Sequence, residues 1–170
     1  MVDPKLKNNL GRYTYQVGLA ALALGVMLGV EEMVSGAAIT SGILVAVIGF
    51  TAFTLFIMPH SNTALSRNVV GGHPIVVLLG VVAAAISGTE TGHRLLDKFQ
   101  LIIVIEAAVV VGTSMFLMAA TNTEHPAAAG TALAVVTREF TMALAIFFLA
   151  SVVGMVLLHR LLRRRLLNLY

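Results

Sequence analysis

The chain has 170 residues, 58% of them hydrophobic and only 11% charged, with a mean hydropathy of +0.95; a soluble domain carries roughly 25% charged residues, so the composition argues against a soluble enzyme and for an integral membrane protein. There is no cysteine, which excludes disulfides, thiolate metal sites and cysteine nucleophiles. The formal charge of +3 is concentrated where Arg160, Arg163, Arg164 and Arg165 follow an apolar helix, the pattern of a cytoplasmic flank against anionic lipid rather than of a nucleic-acid-binding tail.

A helix needs about 20 apolar residues to cross the hydrocarbon core. The first such run covers residues 13–30 and ends at Glu31 and Glu32, which read as a solvated outer loop. It is not a cleavable leader, because no small-residue cleavage site is followed by a soluble chain. The second run covers 36–58. After a polar stretch comes a short apolar run, 74–87, introduced by His73-Pro74. A third long run covers 100–120 and carries Glu106 near its start. An acid at that depth is a proton carrier, a partner for a buried base, or a glutamate reaching headgroup water. A second short run, 126–137, follows His125-Pro126, and a last long run covers 140–162. The closing HRLLRRRLLNLY is amphipathic and is expected to lie along the inner interface.

At 1.5 Å per residue the two short runs reach only about 21 and 18 Å. Proline suits the first turn of a helix, so both are expected to be helices that begin partway into the membrane. Charge decides whether they cross. With six passes and both termini cytoplasmic, Lys5, Lys7, Arg12, Arg67, Arg160, Arg163, Arg164 and Arg165 lie inside and Arg94, Lys98 and Arg138 outside. That sorting obeys the positive-inside rule; leaving 126–137 uncrossed reverses it. The expected fold is therefore a single all-α membrane domain over 1–170, a compact bundle of about six segments, placed in a bacterial inner membrane.

Phe56-Ile57-Met58 followed by Ser61-Asn62-Thr63 recurs sixty residues later as Phe116-Leu117-Met118 followed by Thr121-Asn122-Thr123. Each copy joins a full helix to a polar turn, a His-Pro and a short helix. Entered from the same side, the two copies form a parallel repeat, a common transporter design.

The polar stretches 59–73 and 121–130 stand out against the apolar background. Helix starts carry free N–H groups that favour anions. Gly71-Gly72 permits close backbone approach or a left-handed turn. Arg67, with a planar fork suited to an oxyanion, stands beside Asn68, and Ser61, Asn62, Thr121 and Asn122 offer neutral hydrogen bonds. The other reading of the same residues is an ordinary cytoplasmic loop with a positive-inside arginine. His60, His73 and His125 are 13 and 52 residues apart, a spacing that does not suit a zinc site, so neither a metal nor another cofactor is expected. The histidines are instead expected to donate to the anion or cap helix starts, with proton coupling open to them.

Arg67-Asn-Val-Val-Gly-Gly-His73, and Leu117-Met118 through Thr121 with His125-Pro126 and Ala-Gly-Thr-Ala-Leu, resemble the two signatures of the HPP family of integral membrane proteins. The resemblance runs from about Gly36 to Val136 and implies a nitrite-transporting membrane protein. Two departures stand in the motifs: Ala127 replaces the family's second proline, and Ser66 replaces the proline usual before the arginine. The leading expectation is a transporter or facilitator of a small inorganic anion, nitrite first and nitrate or formate behind it. It is expected to work as a homo-oligomer in the lipid bilayer without nucleic acid. The alternative is a structural module whose polar turns bind lipid or a partner. An intramembrane enzyme using His125 and Glu106 ranks third, since no nucleophile motif accompanies them.

Overall fold

Large apolar side chains such as Leu22, Phe50, Phe116, Ile146 and Leu161 stand exposed on the outside of the helices. A soluble monomer does not carry so much exposed apolar surface; a bundle solvated by lipid does. The computed structural model describes residues 4–35, 42–92, 94, 101–136 and 142–169. Its principal helices are α1 (Pro4–Ser35), α2 (Gly42–Ile57), α3 (Ser66–Ser87), α4 (Leu101–Thr121), α5 (Pro126–Val136) and α6 (Met142–Leu162). Short 3-10 turns occupy Asn62–Ala64 and Arg163–Arg165. Within them, Asn9–Val30, Ser66–Ser87, Leu101–Thr121 and Ala145–Arg165 are long and apolar enough to cross a membrane.

The helix starting at Pro126 is short, as expected: 11 residues. The one expected to start at Pro74 is not. Helix α3 begins at Ser66, runs 22 residues and carries Pro74 in its interior. Proline there lacks the N–H that would bond the Val70 carbonyl, a loss that membrane helices tolerate where their surroundings re-satisfy the backbone. Helix α1 runs on through Glu31 and Glu32, which are therefore helical rather than loop. It changes direction at Asn9, whose φ of −131° is not helical. Residues 36–41, expected to open the second span, and Lys98 and Arg138, expected on the outer side, lie outside the described residues.

Helix α3 joins two apolar cores. Val69 and Val77 pack with Ile48, Phe56, Phe148 and Met155 from α2 and α6. Val76 and Ala83 pack with Met118 of α4 and with Ala128, Ala129 and Ala132 of α5. The alanines of α5 are what let so short a helix sit in contact with α2, α3 and α4, because small side chains allow close backbone approach.

The C-terminal tail turns under the bundle instead of forming an interfacial helix. Leu166 is 1% exposed. The Leu169 N–H donates to the Ile57 carbonyl at 3.0 Å. Gln16 Nε2 donates to the Phe56 and Leu167 carbonyls, each at 2.8 Å, while Leu167 N–H donates to Gln16 Oε1 at 3.0 Å. His60 Nε2–H donates to the Leu166 carbonyl at 2.9 Å, and His159 Nε2–H to the Pro59 carbonyl at 3.1 Å. The last carbonyls of a helix have no partner within it, and here a side chain of α1 and the returning tail supply two of them. The tail, the end of α2, the start of α3 and the α4–α5 turn thus share one end of the bundle. Arg12, Arg67 and the C-terminal arginines gather there, while Arg94 follows the far end of α3.

Candidate functional site

Where α3 crosses the α4–α5 turn, the backbones nearly touch. A side chain at Gly71 would place its first carbon 2.6 Å from Thr123 Cγ2; at Gly72 it would meet the Thr123 carbonyl at 3.1 Å and His125 Cβ and Met118 Sδ at 3.2 Å. Of the two uses the sequence allowed for this pair, close approach is the one realised. Next along α3, His73 is wholly buried, and so is His125 at the start of α5. The rings meet edge to face, centroids 5.1 Å apart, and Phe148 of α6 closes over His73 at 5.2 Å.

Two threonines complete the cluster. His125 Nδ1 lies 3.0 Å from the Thr63 carbonyl, which can only accept, so that nitrogen carries the hydrogen. In an uncharged ring Nε2 is then an acceptor, and it faces Thr51 Oγ1 at 3.5 Å. The Thr51 hydroxyl also donates to the Val47 carbonyl at 2.9 Å. His73 Nε2 lies 3.4 Å from the same hydroxyl oxygen, and His73 Nδ1 lies 3.1 Å from Thr131 Oγ1. With Thr131 donating to His73, His73 to Thr51, Thr51 to Val47 and His125 to Thr63, neither ring is charged, and His125 Nε2 is left facing a hydroxyl whose hydrogen is already given. The outer bonds are of ordinary length, whereas the two at Thr51 are at the long limit for hydrogen bonds. The centre of the cluster is where a ligand competes most easily for the ring nitrogens.

The remaining predicted residues divide into two groups. Asn68 is buried, and its Nδ2 donates to the Asn62 carbonyl at 3.0 Å and the Glu124 carbonyl at 3.2 Å. It ties the two polar turns together and also accepts a weak bond from Arg67 Nε at 3.4 Å. Arg67, Asn62, Thr121 and Asn122 are exposed on the end of the bundle. Arg67 lies six residues before His73, about 9 Å along the helix axis, so it stands at the end of the bundle rather than against the rings. Asn122 has φ +54°. With its N–H on the Ala119 carbonyl and the Thr123 N–H on Met118, it closes α4 by a left-handed C-terminal cap.

The two His-Pro pairs are consequently not equivalent. His73 lies inside a long helix and His125 just before a short one; what is equivalent is the helix starts, Ser66 and Pro126, again sixty residues apart. Glu106 of α4 is partly buried and accepts a hydrogen bond from Ser87 Oγ at the far end of α3. It belongs to a different level of the bundle from the histidines. His60 is also apart from them, held by the tail, and no group of three or more metal-ligating side chains occurs among the described residues. Sequence reasoning passed over Thr51 and Thr131, whose signal was a hydroxyl within an otherwise apolar helix.

The family model for the HPP transmembrane region matches residues 6–166, nearly the whole chain. No curated protein and no solved structure matches it.

Proposed function

We propose that this chain, which belongs to the HPP transmembrane family, is a transporter or facilitator of a small oxyanion, nitrite first and nitrate or formate after it, and not an enzyme. The observation that carries this reading is the buried His73–Thr51–His125 centre, where the long His73–Thr51 hydrogen bond leaves the His73 Nε2–H available to an anion within the membrane, and where His125 Nε2 donates as well once its ring takes up a proton. Intramembrane polar groups are expensive and mark substrate paths by default. Arg67 at the end of the bundle supplies the attracting charge, and the rings about 9 Å deeper supply hydrogen bonds in place of lost hydration. No covalent step is needed. Oligomerisation as identical copies belongs to the same proposal.

The test is flux into proteoliposomes with nitrite, nitrate, formate and chloride in parallel. Nitrite flux is expected to exceed that of chloride, and Arg67→Ala to lose most of it while Arg67→Lys keeps part, because a lysine retains charge without the planar fork. Equal flux of all four anions, or none of any, overturns the reading and leaves the lipid- or partner-binding module in its place.

The end carrying the tail is proposed to be cytoplasmic, in a bacterial inner membrane, because it collects Arg12, Arg67 and Arg160 to Arg165. The chain has no cysteine, so Arg165→Cys on the exposed tail reports cleanly. It is expected to resist an impermeant thiol reagent in intact cells and to react after lysis; labelling before lysis reverses the orientation.

A further inference from the structure

Beside the tail lies a cavity separate from the histidine centre. It measures about 380 Å³ and is bounded by Ser66 at the start of α3 and by His159, Arg160, Arg163 and Arg164 at the end of α6. Three features single it out. The first is the helix start. Leu65 occupies the cap position without a side-chain hydrogen bond, and the first N–H groups to reach a backbone acceptor are those of Asn68 and Val69 on the Leu65 carbonyl. The N–H groups of Ser66 and Arg67 precede them, as the orphan donors of a helix do. The second is charge. Among the described residues the ion pair formed is Arg94 with Glu90, at the opposite end, and none of their carboxylates lies within ion-pair distance of Arg160, Arg163 or Arg164. The third is His159, 1% exposed. Its Nε2–H is committed to the Pro59 carbonyl, while Nδ1 is buried with no partner. A buried polar atom left unsatisfied is costly and calls for a reason. Since Nε2 is engaged, Nδ1 is the nitrogen left without a partner in a residue that lines the cavity.

We propose that this cavity binds a phosphate group carrying a hydroxyl, either on a lipid headgroup or as free phosphate. The arginines and the start of α3 meet phosphate oxygens from several directions, a donor arrangement suited to a tetrahedral anion. His159 Nδ1, unprotonated when Nε2 carries the hydrogen, accepts from a glycerol hydroxyl or a P–OH. The volume exceeds what a three-atom anion fills and accommodates a substituted phosphate. Leu161, 79% exposed beside Arg160, marks the lipid-facing side of the same helix end. The site does not depend on the transport reading, since it is defined by binding alone.

The experiment measures thermal stability of the purified full chain in neutral detergent. Phosphatidylglycerol, phosphatidylcholine or inorganic phosphate is added to the wild type, to Arg163→Gln/Arg164→Gln and to Arg165→Gln. These arginines are exposed, so the variants keep the fold. Phosphatidylglycerol is expected to raise the melting temperature of the wild type and of Arg165→Gln, with a shift at least threefold smaller in the double variant and none from phosphatidylcholine. A shift from inorganic phosphate equal to that from phosphatidylglycerol assigns the site to the free ion; a shift from the lipid alone assigns it to a headgroup. Equal losses in Arg165→Gln and the double variant would mean diffuse charge attraction and overturn the proposal, as would no shift from either phosphate source. Native mass spectrometry of the same samples is expected to show one retained phosphate-bearing ligand per chain, lost in the double variant.

Discussion

Replacing His73 or His125 by asparagine is expected to stop oxyanion flux while leaving the bundle assembled. The amide of asparagine reaches the position of the ring's Nδ1 but not of Nε2. In His125→Asn the amide N–H still meets the Thr63 carbonyl, and in His73→Asn the side-chain oxygen still accepts from Thr131; the wild-type distances are 3.0 and 3.1 Å. What disappears in each case is a nitrogen facing Thr51, at the centre proposed to receive the anion. A partly dehydrated oxyanion short of one donor, the His73 Nε2–H or the Nε2–H that His125 gains when its ring takes up a proton with the anion, loses roughly 1–3 kcal/mol, so flux should fall by roughly 5- to 150-fold for either variant. The double variant should fall less than the product of the two, because both nitrogens would serve one ligand. Alanine at either site is a poorer probe, since it also leaves a cavity and strands Thr131 or Thr63. Unchanged nitrite flux in both asparagine variants, with correct membrane insertion, would reduce the pair to packing.

That centre was half legible in the sequence. His73 and His125 were conspicuous because each precedes a proline, but the proline was also misleading. Pro74 suggested a helix start by the ordinary rule for the first turn, whereas the structure carries α3 eight residues further back, to Ser66. The sixty-residue repeat held the better signal. It predicts a helix start at 66 from the one at 126, and local preference for proline at helix starts obscured it. That the two rings touch is a tertiary fact, since nothing local relates an interior position of one helix to the residue preceding another. Thr51 and Thr131 carried only a weak signal for a further reason. A threonine in a helix is ordinarily satisfied by its own backbone, as Thr51 is by Val47, so its hydroxyl gives no sign of a second partner. Arg67, Asn62 and Asn122 were legible as polar, yet their exposure, and the left-handed cap at Asn122, depend on how the turns pack.

Gln16→Leu is expected to destabilise the protein more than any substitution on its exposed faces, and the reason was also hidden in an apolar run. Gln16 is 1% exposed, and it donates to two carbonyls, of Phe56 and Leu167, while accepting from the Leu167 N–H. Leucine is of similar size and more apolar, so a bilayer-facing position would gain from the change. Here it removes one side chain and leaves two carbonyls and one N–H without it; stranding the buried Phe56 carbonyl costs roughly 1–3 kcal/mol, and the part-buried Leu167 groups cost less. Water admitted by a loosened tail offsets part of that. The Leu169 N–H on the Ile57 carbonyl and the Leu166 carbonyl on His60 would loosen together, since all belong to the same returning tail. Gln16→Glu separates polarity from pairing. It keeps an acceptor for Leu167 N–H but turns a carboxylate toward the Phe56 and Leu167 carbonyls, where a donor is needed. At neutral pH it should therefore be at least as damaging as leucine, despite being isosteric. The comparison is melting temperature in detergent, together with protease cleavage of the C-terminal tail, for wild type, Gln16→Leu, Gln16→Glu and Val17→Leu as an exposed neighbour. Earlier melting and faster tail cleavage are expected for both Gln16 variants and not for Val17→Leu. Melting unchanged in Gln16→Leu would mean that the tail is held by Leu166 burial and the His60 and Ile57 contacts alone, with Gln16 contributing no net stability.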